Sequence, residues 1–225
     1  MAANNTSNVR FAPNGRLLVR KYDDRKKVLR AGNDILDPGK PLPQEGENAW
    51  HEMGWVTADG VELTPSIKTS EVEAWQSATP IIYSVESAAL QVKATLMEVN
   101  PTVTQTYFGT DWVEIDGLEG VYGLDIKSNP DLSEIVMAIE WEDGKDRNRL
   151  IIPHAIVSDR DSIKLTRKDN QEFGLTIDAL DEDGELAKLV TTKNMSGSGG
   201  GKPEPKPGKL PAQPKIKADF SVGKK

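Results

Sequence analysis

The chain has 225 residues, no cysteine and a formal net charge of −7. This length holds one substantial core with extensions, or at most about two small domains, and the lack of cysteine excludes disulfides, thiol catalysis and cysteine-ligated zinc. No apolar run approaches the roughly 20 residues that cross a bilayer, and the first residues lack the apolar stretch of a signal peptide, so the sequence predicts no membrane partner.

The charge is unevenly distributed along the chain. Residues 196–225 carry seven lysines and two acidic residues, whereas residues 1–195 carry 21 basic and 33 acidic residues. An acidic surface does not bind nucleic acid through its phosphates, because that binding requires clustered Lys and Arg. The sequence therefore predicts that residues 1–195 do not bind DNA or RNA.

Residues 1–49 are predicted to form an extended N-terminal arm. The stretch RKYDDRKKVLR is highly charged, and the following DPGKPLPQEGE is interrupted by proline and glycine. One short strand is expected at Arg16 to Val19. Such a segment cannot make its own core, so we expect it to stay mobile or to pack on a neighbouring molecule.

Residues 50–195 are predicted to form one mainly β domain. Asp59-Gly60 separates two apolar-alternating runs and indicates a hairpin turn. Residues 79–99 alternate with a period of two and are predicted to form two strands that meet at Ser87-Ala88. Further short strands are predicted at residues 119–126, 133–143, 149–159, 162–167, 172–183 and 184–192, with turns at Asp116-Gly117, Asp143-Gly144 and Asp183-Gly184. This spacing is typical of a β-sandwich or barrel.

A single short helix is predicted at about residues 100–108. Asn100 suits the N-cap, Pro101 suits the first helical position, and Gly109 suits a left-handed C-terminal position. The β-branched residues between them are weak helix formers, so the helix is not expected to be stable alone. Val103 and Tyr107 are therefore predicted to pack on a sheet.

Residues 196–225 are predicted to be a separate C-terminal extension. The stretch SGSGGG is typical of a flexible linker, and the Pro- and Lys-rich residues after it favour an extended chain. The apolar piece IKADFSV could dock as a strand.

No catalytic, cofactor or metal site is predicted. GSGGGKP lacks the first glycine and the Ser or Thr of a phosphate-binding loop, and ALDEDGELAKLV lacks the bidentate Glu of a calcium loop. His51 and His154 lie far apart in the sequence and outside any metal or nucleophile motif. The sequence therefore lacks the set of metal ligands that a metal-dependent hydrolase would need, and the chain is not predicted to be an enzyme.

The five tryptophans leave a second class of function open, a monomeric β-sandwich module that binds ligands or glycans. Trp141 alternates with Ile139 and Met137 and is expected in the core. Trp75 follows SEVEA and is expected at a subunit contact, where Trp is favoured. The core or interface interpretation is therefore preferred to the glycan interpretation.

The stretch from Met53 to Gly109 resembles the major tail protein, or tail tube protein, of long non-contractile phage tails, especially those of actinobacteriophages. The segments that carry the resemblance are GWVTADGVEL, TSEVEAWQ and ATLMEVNPTVTQTYFG. The resemblance implies hexameric rings that stack into a tube, with strands of six subunits joined in one lumen barrel and the helix packed beside them. It implies a structural virion protein of the tail, made in the host cytoplasm.

The resemblance also implies partners. They are further copies of the chain, the tape-measure protein and later DNA in the lumen, and tail terminator and distal tail proteins at the tube ends. The acidic body suggests a lumen that lets DNA pass without specific binding. Ring-to-ring contacts are expected from the arm and from a loop at Thr57 to Trp75, and the basic extension is expected outside the tube. The candidate lumen or subunit-interface residues are Trp75, Gln91, Lys93, Thr95, Val103 and Tyr107.

Overall fold

The structure is a computed structural model that describes residues 12–23, 28–29, 34–73, 75–77, 79–128 and 133–195. The chain divides into two compact units, Met1–Lys193 and Asn194–Lys225. All strands and helices of the described residues belong to the first unit, and the extension predicted at residues 196–225 lies outside the described residues. Among the described residues, no helix is both long and apolar enough to cross a membrane.

The first unit is mainly β, as predicted, with one α-helix and one short 3-10 helix at Asp34–Leu36 among the described residues. The first strands are β1 (Asn14–Lys21), β2 (His51–Glu52), β3 (Val56–Val72) and β4 (Ile82–Leu96). Helix α1 (Pro101–Phe108) follows β4. The remaining strands are β5 (Val113–Glu114), β6 (Tyr122–Gly123), β7 (Glu134–Asp143), β8 (Asp146–Arg160), β9 (Phe173–Ala179) and β10 (Lys188–Thr191).

Eight of these strands form one antiparallel sheet, consistent with a β-sandwich. The order is β2-β1-β7-β8-β9-β4-β3, and β10 pairs with β8 beside β9. Strands β5 and β6 form a small separate sheet. Among the described strands, the long strand β3 is therefore an edge of the main sheet, with one row of backbone groups left unpaired by them.

The larger core lies on one face of this sheet and is covered by α1. Cross-strand neighbours such as Leu17 and Ile139 point to the same side and are both buried. On β4 the residues Val92, Ala94 and Leu96 face this core, and the residues between them do not. The period-two pattern predicted for this part of the chain is thus confirmed.

The described part of the predicted arm packs in its own chain. Strand β1 covers the strand predicted at Arg16 to Val19 and lies between β2 and β7. Leu18 packs in a second cluster on the opposite face of the sheet, with Val28, Leu42 and Trp50. These contacts differ from the expectation of a segment that is mobile or packed on a neighbour, because its few apolar residues complete cores built by other strands. The three-segment division at residues 49 and 195 stays a prediction.

Two predicted turns in the first β region are wrong. Asp59-Gly60 lies inside β3, where the pairing with β4 shifts between Val56 and Val61. Gly60 has a φ of 74°, which is the conformation a glycine supplies equally well at a bulge. Ser87-Ala88 lies inside β4, beside a second register shift, and not at a bend. The region predicted as several short strands is one long hairpin of β3 and β4. At both predicted turns the chain forms a bulge, and the strand continues past it in the same direction.

The later turns are better predicted. Asp143-Gly144 ends β7 and leads into β8, and Asp183-Gly184 closes a bridge between Glu182 and Glu185 with positive φ at both residues. Asp116-Gly117 lies between β5 and β6. The strand predicted at residues 162–167 is wrong, because these residues form an irregular loop that connects β8 and β9.

The predicted helix is confirmed with its caps. The Val103 amide donates to the Asn100 side-chain oxygen at 2.9 Å. Gly109 has a φ of 72°, and its amide donates to the Gln105 carbonyl oxygen. Only eight residues separate the caps, so packing of Val103 and Tyr107 against the sheet supplies the stability that propensity does not.

Candidate assembly surface

The hairpin of β3 and β4 extends beyond the sheet that carries it. Strand β4 pairs with β9 only from Gln91 to Leu96, although β4 begins at Ile82. Residues 65–72 and 82–90 therefore form a two-stranded ribbon that pairs with no third strand of the described residues, and we call it the distal ribbon. A two-stranded ribbon is marginally stable in water, so this part is expected to gain stability from a further contact.

The two faces of the distal ribbon differ in chemistry. On the core side, the β3–β4 hairpin continues the apolar face of the body with Leu63, Pro65, Ile67, Tyr83, Val85, Ala88 and Leu90. Thr69 and Glu71 lie on the same side near the tip, opposite Val85 and Tyr83. No described residue covers this face near the tip, where Ile67, Tyr83 and Val85 are 68%, 61% and 66% exposed. An uncovered apolar face on a protruding ribbon is typical of a protein–protein contact.

The opposite face is mainly polar and rich in small hydroxyl residues. Along the whole β3–β4 hairpin, the polar residues of this face are Glu62, Thr64, Ser66, Lys68, Ser70, Ser84, Ser87, Gln91, Lys93 and Thr95. Ala89 and, at the tip, the cross-strand pair Val72 and Ile82 lie on the same face. The hydroxyls of Ser70 and Ser84 bond across the ribbon at 2.7 Å. The charges on this face, with Asp178 of β9, are two acidic and two basic, so the face itself is not strongly acidic.

Gln91, Lys93 and Thr95 all lie on this polar face, as their alternation predicted. The Gln91 amide donates to Asp178 Oδ1 at 2.9 Å, and Lys93 is exposed. Their side chains point away from the core that buries Val92 and Ala94. The structure thus groups these three residues on one surface, and their role in a lumen stays a prediction.

Trp75 lies in the turn that joins the two strands of the hairpin and is 99% exposed. The Ile81 amide donates to the Val72 carbonyl at 2.8 Å and closes this turn at its base. The loop expected from Thr57 to Trp75 is instead strand β3 up to Val72. A fully exposed Trp at the tip of a ribbon is a typical anchor for a partner.

Val103 and Tyr107 lie in the larger core of their own chain. The Tyr107 ring packs edge-on against Phe173, and its hydroxyl donates to the Asp161 backbone carbonyl. Burial raises the pKa of the Tyr107 hydroxyl above its ordinary value. Their burial is thus explained within one subunit, and a subunit-interface role for them stays a prediction.

The exposed apolar residues of the distal ribbon were not singled out from the sequence. Their signal is the odd-numbered series Val61, Leu63, Pro65 and Ile67, which is uninterrupted once Asp59-Gly60 is recognised as a bulge. The Trp residues do not share a face that would suit a glycan: Trp50 is buried and Trp141 packs against the core. Among the described residues, no group of three or more acidic or His side chains could hold a metal.

A family model for phage tail tube proteins matches residues 1–197. The chain belongs to the phage tail tube protein family. This confirms the resemblance carried by residues 53–109, and the match extends over the β strands on either side of them. Tail tube proteins are structural and not enzymatic, so this one is a structural protein of the virion tail.

Comparison with solved structures is less informative. A chain in a structure described as the virion of a native gene transfer agent particle aligns with a TM-score of 0.37 and 10% identity, over 85% of this tail tube protein and 100% of that chain. No curated protein matches the chain. The assignment to the tail tube family therefore rests on the family model.

Proposed function

We propose that this chain forms hexameric rings that stack into the tail tube and that the tube is the conduit for DNA ejection. The observation that carries the proposal is the distal ribbon, with one uncovered apolar face, one polar face and unpaired strand edges. A ring of identical subunits needs two complementary surfaces on each, and free strand edges can join by backbone hydrogen bonds. Six copies of the ribbon would close into a barrel without edges.

The chemistry of the two faces supports one orientation of the ribbon in that barrel. The polar face, with Gln91, Lys93 and Thr95, faces a water-filled lumen, and the apolar face packs against the bodies of the subunits. The lumen face carries equal numbers of acidic and basic side chains on β3, β4 and β9. DNA would meet no continuous basic surface there, so it passes without specific binding.

The other proposed partners are proteins that would contact the lumen or the ends of such a tube. The tape-measure protein occupies the lumen during assembly in the host cytoplasm, and tail terminator and distal tail proteins bind the two ends. The support for these partners is the membership of the tail tube family. Trp75 at the exposed tip is a candidate contact to the next ring.

The test compares Ile67→Lys with Ser66→Lys. These neighbours are both exposed and lie on opposite faces of the ribbon, so each variant adds one charge with little effect on the isolated chain. We expect Ile67→Lys to abolish rings and tubes, because a charge would be buried at the subunit contact. We expect Ser66→Lys to assemble, because its side chain stays in water. Electron microscopy of concentrated protein, with and without a tail initiator complex, measures both.

Two results would overturn this proposal. The first is wild-type protein that forms no ring or tube under any seeded condition. The second is assembly of Ile67→Lys that equals that of Ser66→Lys, since the apolar face would then not be a contact.

A further inference from the structure

A second exposed apolar surface lies on the small sheet of β5 and β6. Residues 111–126 form a hairpin that is separate from the main sheet and has seven exposed large apolar side chains: Trp112, Val113, Ile115, Leu118, Val121, Tyr122 and Ile126. Two successive turns with Gly117 and Gly120 at positive φ shape its tip. So many exposed apolar residues on about sixteen residues mark an interaction surface.

The same hairpin is strongly acidic, and we call it the acidic hairpin. Residues 111–126 contain five acidic residues and no basic one. Asp111 pairs with Lys21 at 3.1 Å, and Glu114 accepts from the Gly120 amide. Asp116, Glu119 and Asp125 are exposed. A partner for this surface should therefore combine apolar and basic side chains.

The loop between β8 and β9, residues 161–172, has that combination at its centre, and we call it the basic loop: its three basic residues lie together within residues 164–168, flanked by Asp161, Asp169 and Glu172. Lys164, Arg167 and Lys168 are exposed, and among the described residues none of them has an ion-pair partner. Leu165 lies between them and is 82% exposed. Thr166 and Asp169 bond to each other within the loop, so its shape is locally fixed.

The two surfaces start from the same junction in the fold. The Tyr107 hydroxyl, in the last turn of α1, donates to the Asp161 carbonyl at the start of the basic loop. Arg160 Nε donates in return to the Tyr107 carbonyl. The acidic hairpin begins a few residues after α1 ends. Both surfaces are therefore anchored beside the C-terminal end of α1, and rotation about a ring axis brings together only surfaces that lie at the same height along it.

We propose that the acidic hairpin of one copy of this chain binds the basic loop of a second copy. The contact combines burial of the apolar residues of the hairpin with Leu165 and pairing of opposite charges around them. It rests on the proposed ring and names a lateral contact in addition to the distal ribbons. Because each copy has one hairpin and one loop, the contact is head-to-tail and can propagate round a ring.

The test is a charge exchange between two variants. The first has the loop reversed, Lys164→Glu/Arg167→Glu/Lys168→Glu, and the second has the hairpin reversed, Asp116→Lys/Glu119→Lys/Asp125→Lys. We expect each variant alone to associate at least about tenfold more weakly than wild type, because like charges then face each other. An equimolar mixture should recover association, since every loop then finds a hairpin of opposite charge in alternating order.

Controls separate this contact from general effects of charge. Lys145→Glu/Lys188→Glu reverses two lysines outside the loop and should associate like wild type. Circular dichroism melting checks that each chain is folded, and Asp116→Asn/Glu119→Gln/Asp125→Asn replaces the reversed hairpin if that variant does not fold. Sedimentation velocity across salt concentrations measures association, which salt should weaken in wild type and in the mixture.

The outcomes distinguish this inference from the ring proposal. Recovery in the mixture supports the contact even if only dimers form, and dimers alone would count against rings. Tubes that form equally well from both single variants overturn the contact and leave the ring proposal standing. No association of wild type, single variants or mixture at any concentration overturns both.

Discussion

Arg149 is the buried charge that fixes the segment 34–40 to the sheet. Its guanidinium pairs with Glu140 Oε1 at 2.5 Å and donates to the backbone carbonyls of Ile35, Asp37 and Lys40. The side chain is 1% exposed. A buried guanidinium is tolerated because these acceptors satisfy its donors, and those carbonyls depend on it in turn.

We therefore expect Arg149→Met to lower the free energy of unfolding by about 3 kcal/mol, because it leaves three carbonyls without their donor and Glu140 without one of its cations. Denaturant unfolding measures the change. Arg147→Met is the half-exposed control: its side chain pairs with Glu142 at 3.2 Å and donates to the Gly39 carbonyl at 3.2 Å. Its loss should lower the free energy of unfolding by less than about 1 kcal/mol, because water can replace both partners. An equal loss of unfolding free energy in Arg149→Met and Arg147→Met would contradict the conclusion that burial makes Arg149 the more important of the two.

At the scale of one element, helix α1 depends on its caps and on its contacts with the sheet. The Asn100 side chain satisfies the Val103 amide, which has no partner inside the helix. Thr104 and Thr106 donate their hydroxyls to the backbone carbonyls of Asn100 and Thr102, which satisfies these buried side chains without adding to helix propensity.

Asn100→Ala should destabilise the protein by about 1 kcal/mol, because the Val103 amide loses its acceptor. Thermal unfolding of Asn100→Ala and of Thr102→Ala, a helical position with a half-buried side chain, provides the comparison. The second variant should have little effect, since alanine is the better helix former. If Thr102→Ala lowered the stability more than Asn100→Ala, the packing of Thr102, and not the Asn100 cap, would be the main source of helix stability.

At the scale of the whole molecule, the residues that stabilise the subunit are distinct from those that we assign to assembly. The two core clusters lie in the sheet and beneath α1. The distal ribbon contributes no buried side chain to them, apart from the half-buried Leu90 at its base. Mutations should therefore be able to separate folding of the subunit from the proposed closure of the ring.

Replacing residues 65–90 by Asn-Gly tests this separation, because Thr64 and Gln91 are cross-strand partners that a two-residue turn can join. The shortened chain should stay folded and monomeric, with a melting temperature within about 5 °C of the full chain, since it loses little buried area. Light scattering and calorimetry give the two values. If the shortened chain showed no cooperative unfolding transition, the distal ribbon would be required for the fold.

The elements differ in how far their sequence predicts them. The helix was predicted to within a residue because its caps are local: Asn100, Pro101 and Gly109 act through neighbouring backbone groups. Gln91, Lys93 and Thr95 were placed on one face because a strand alternates with a period of two. The turn at Asp59-Gly60 was wrong because glycine permits the same positive φ in a hairpin and in a bulge.

The sequence by itself determined that the chain is mainly β, where its helix begins and ends, and to which family it belongs. These depend on local propensity, periodicity and motif residues. Only the tertiary structure decided that β1 is an inner strand, that β3 and β4 form one long hairpin, and that its outer half leaves an apolar face uncovered. Strand pairing and the burial of a sheet face both depend on contacts between residues that are far apart in the chain. A local sequence pattern carries no information about such contacts.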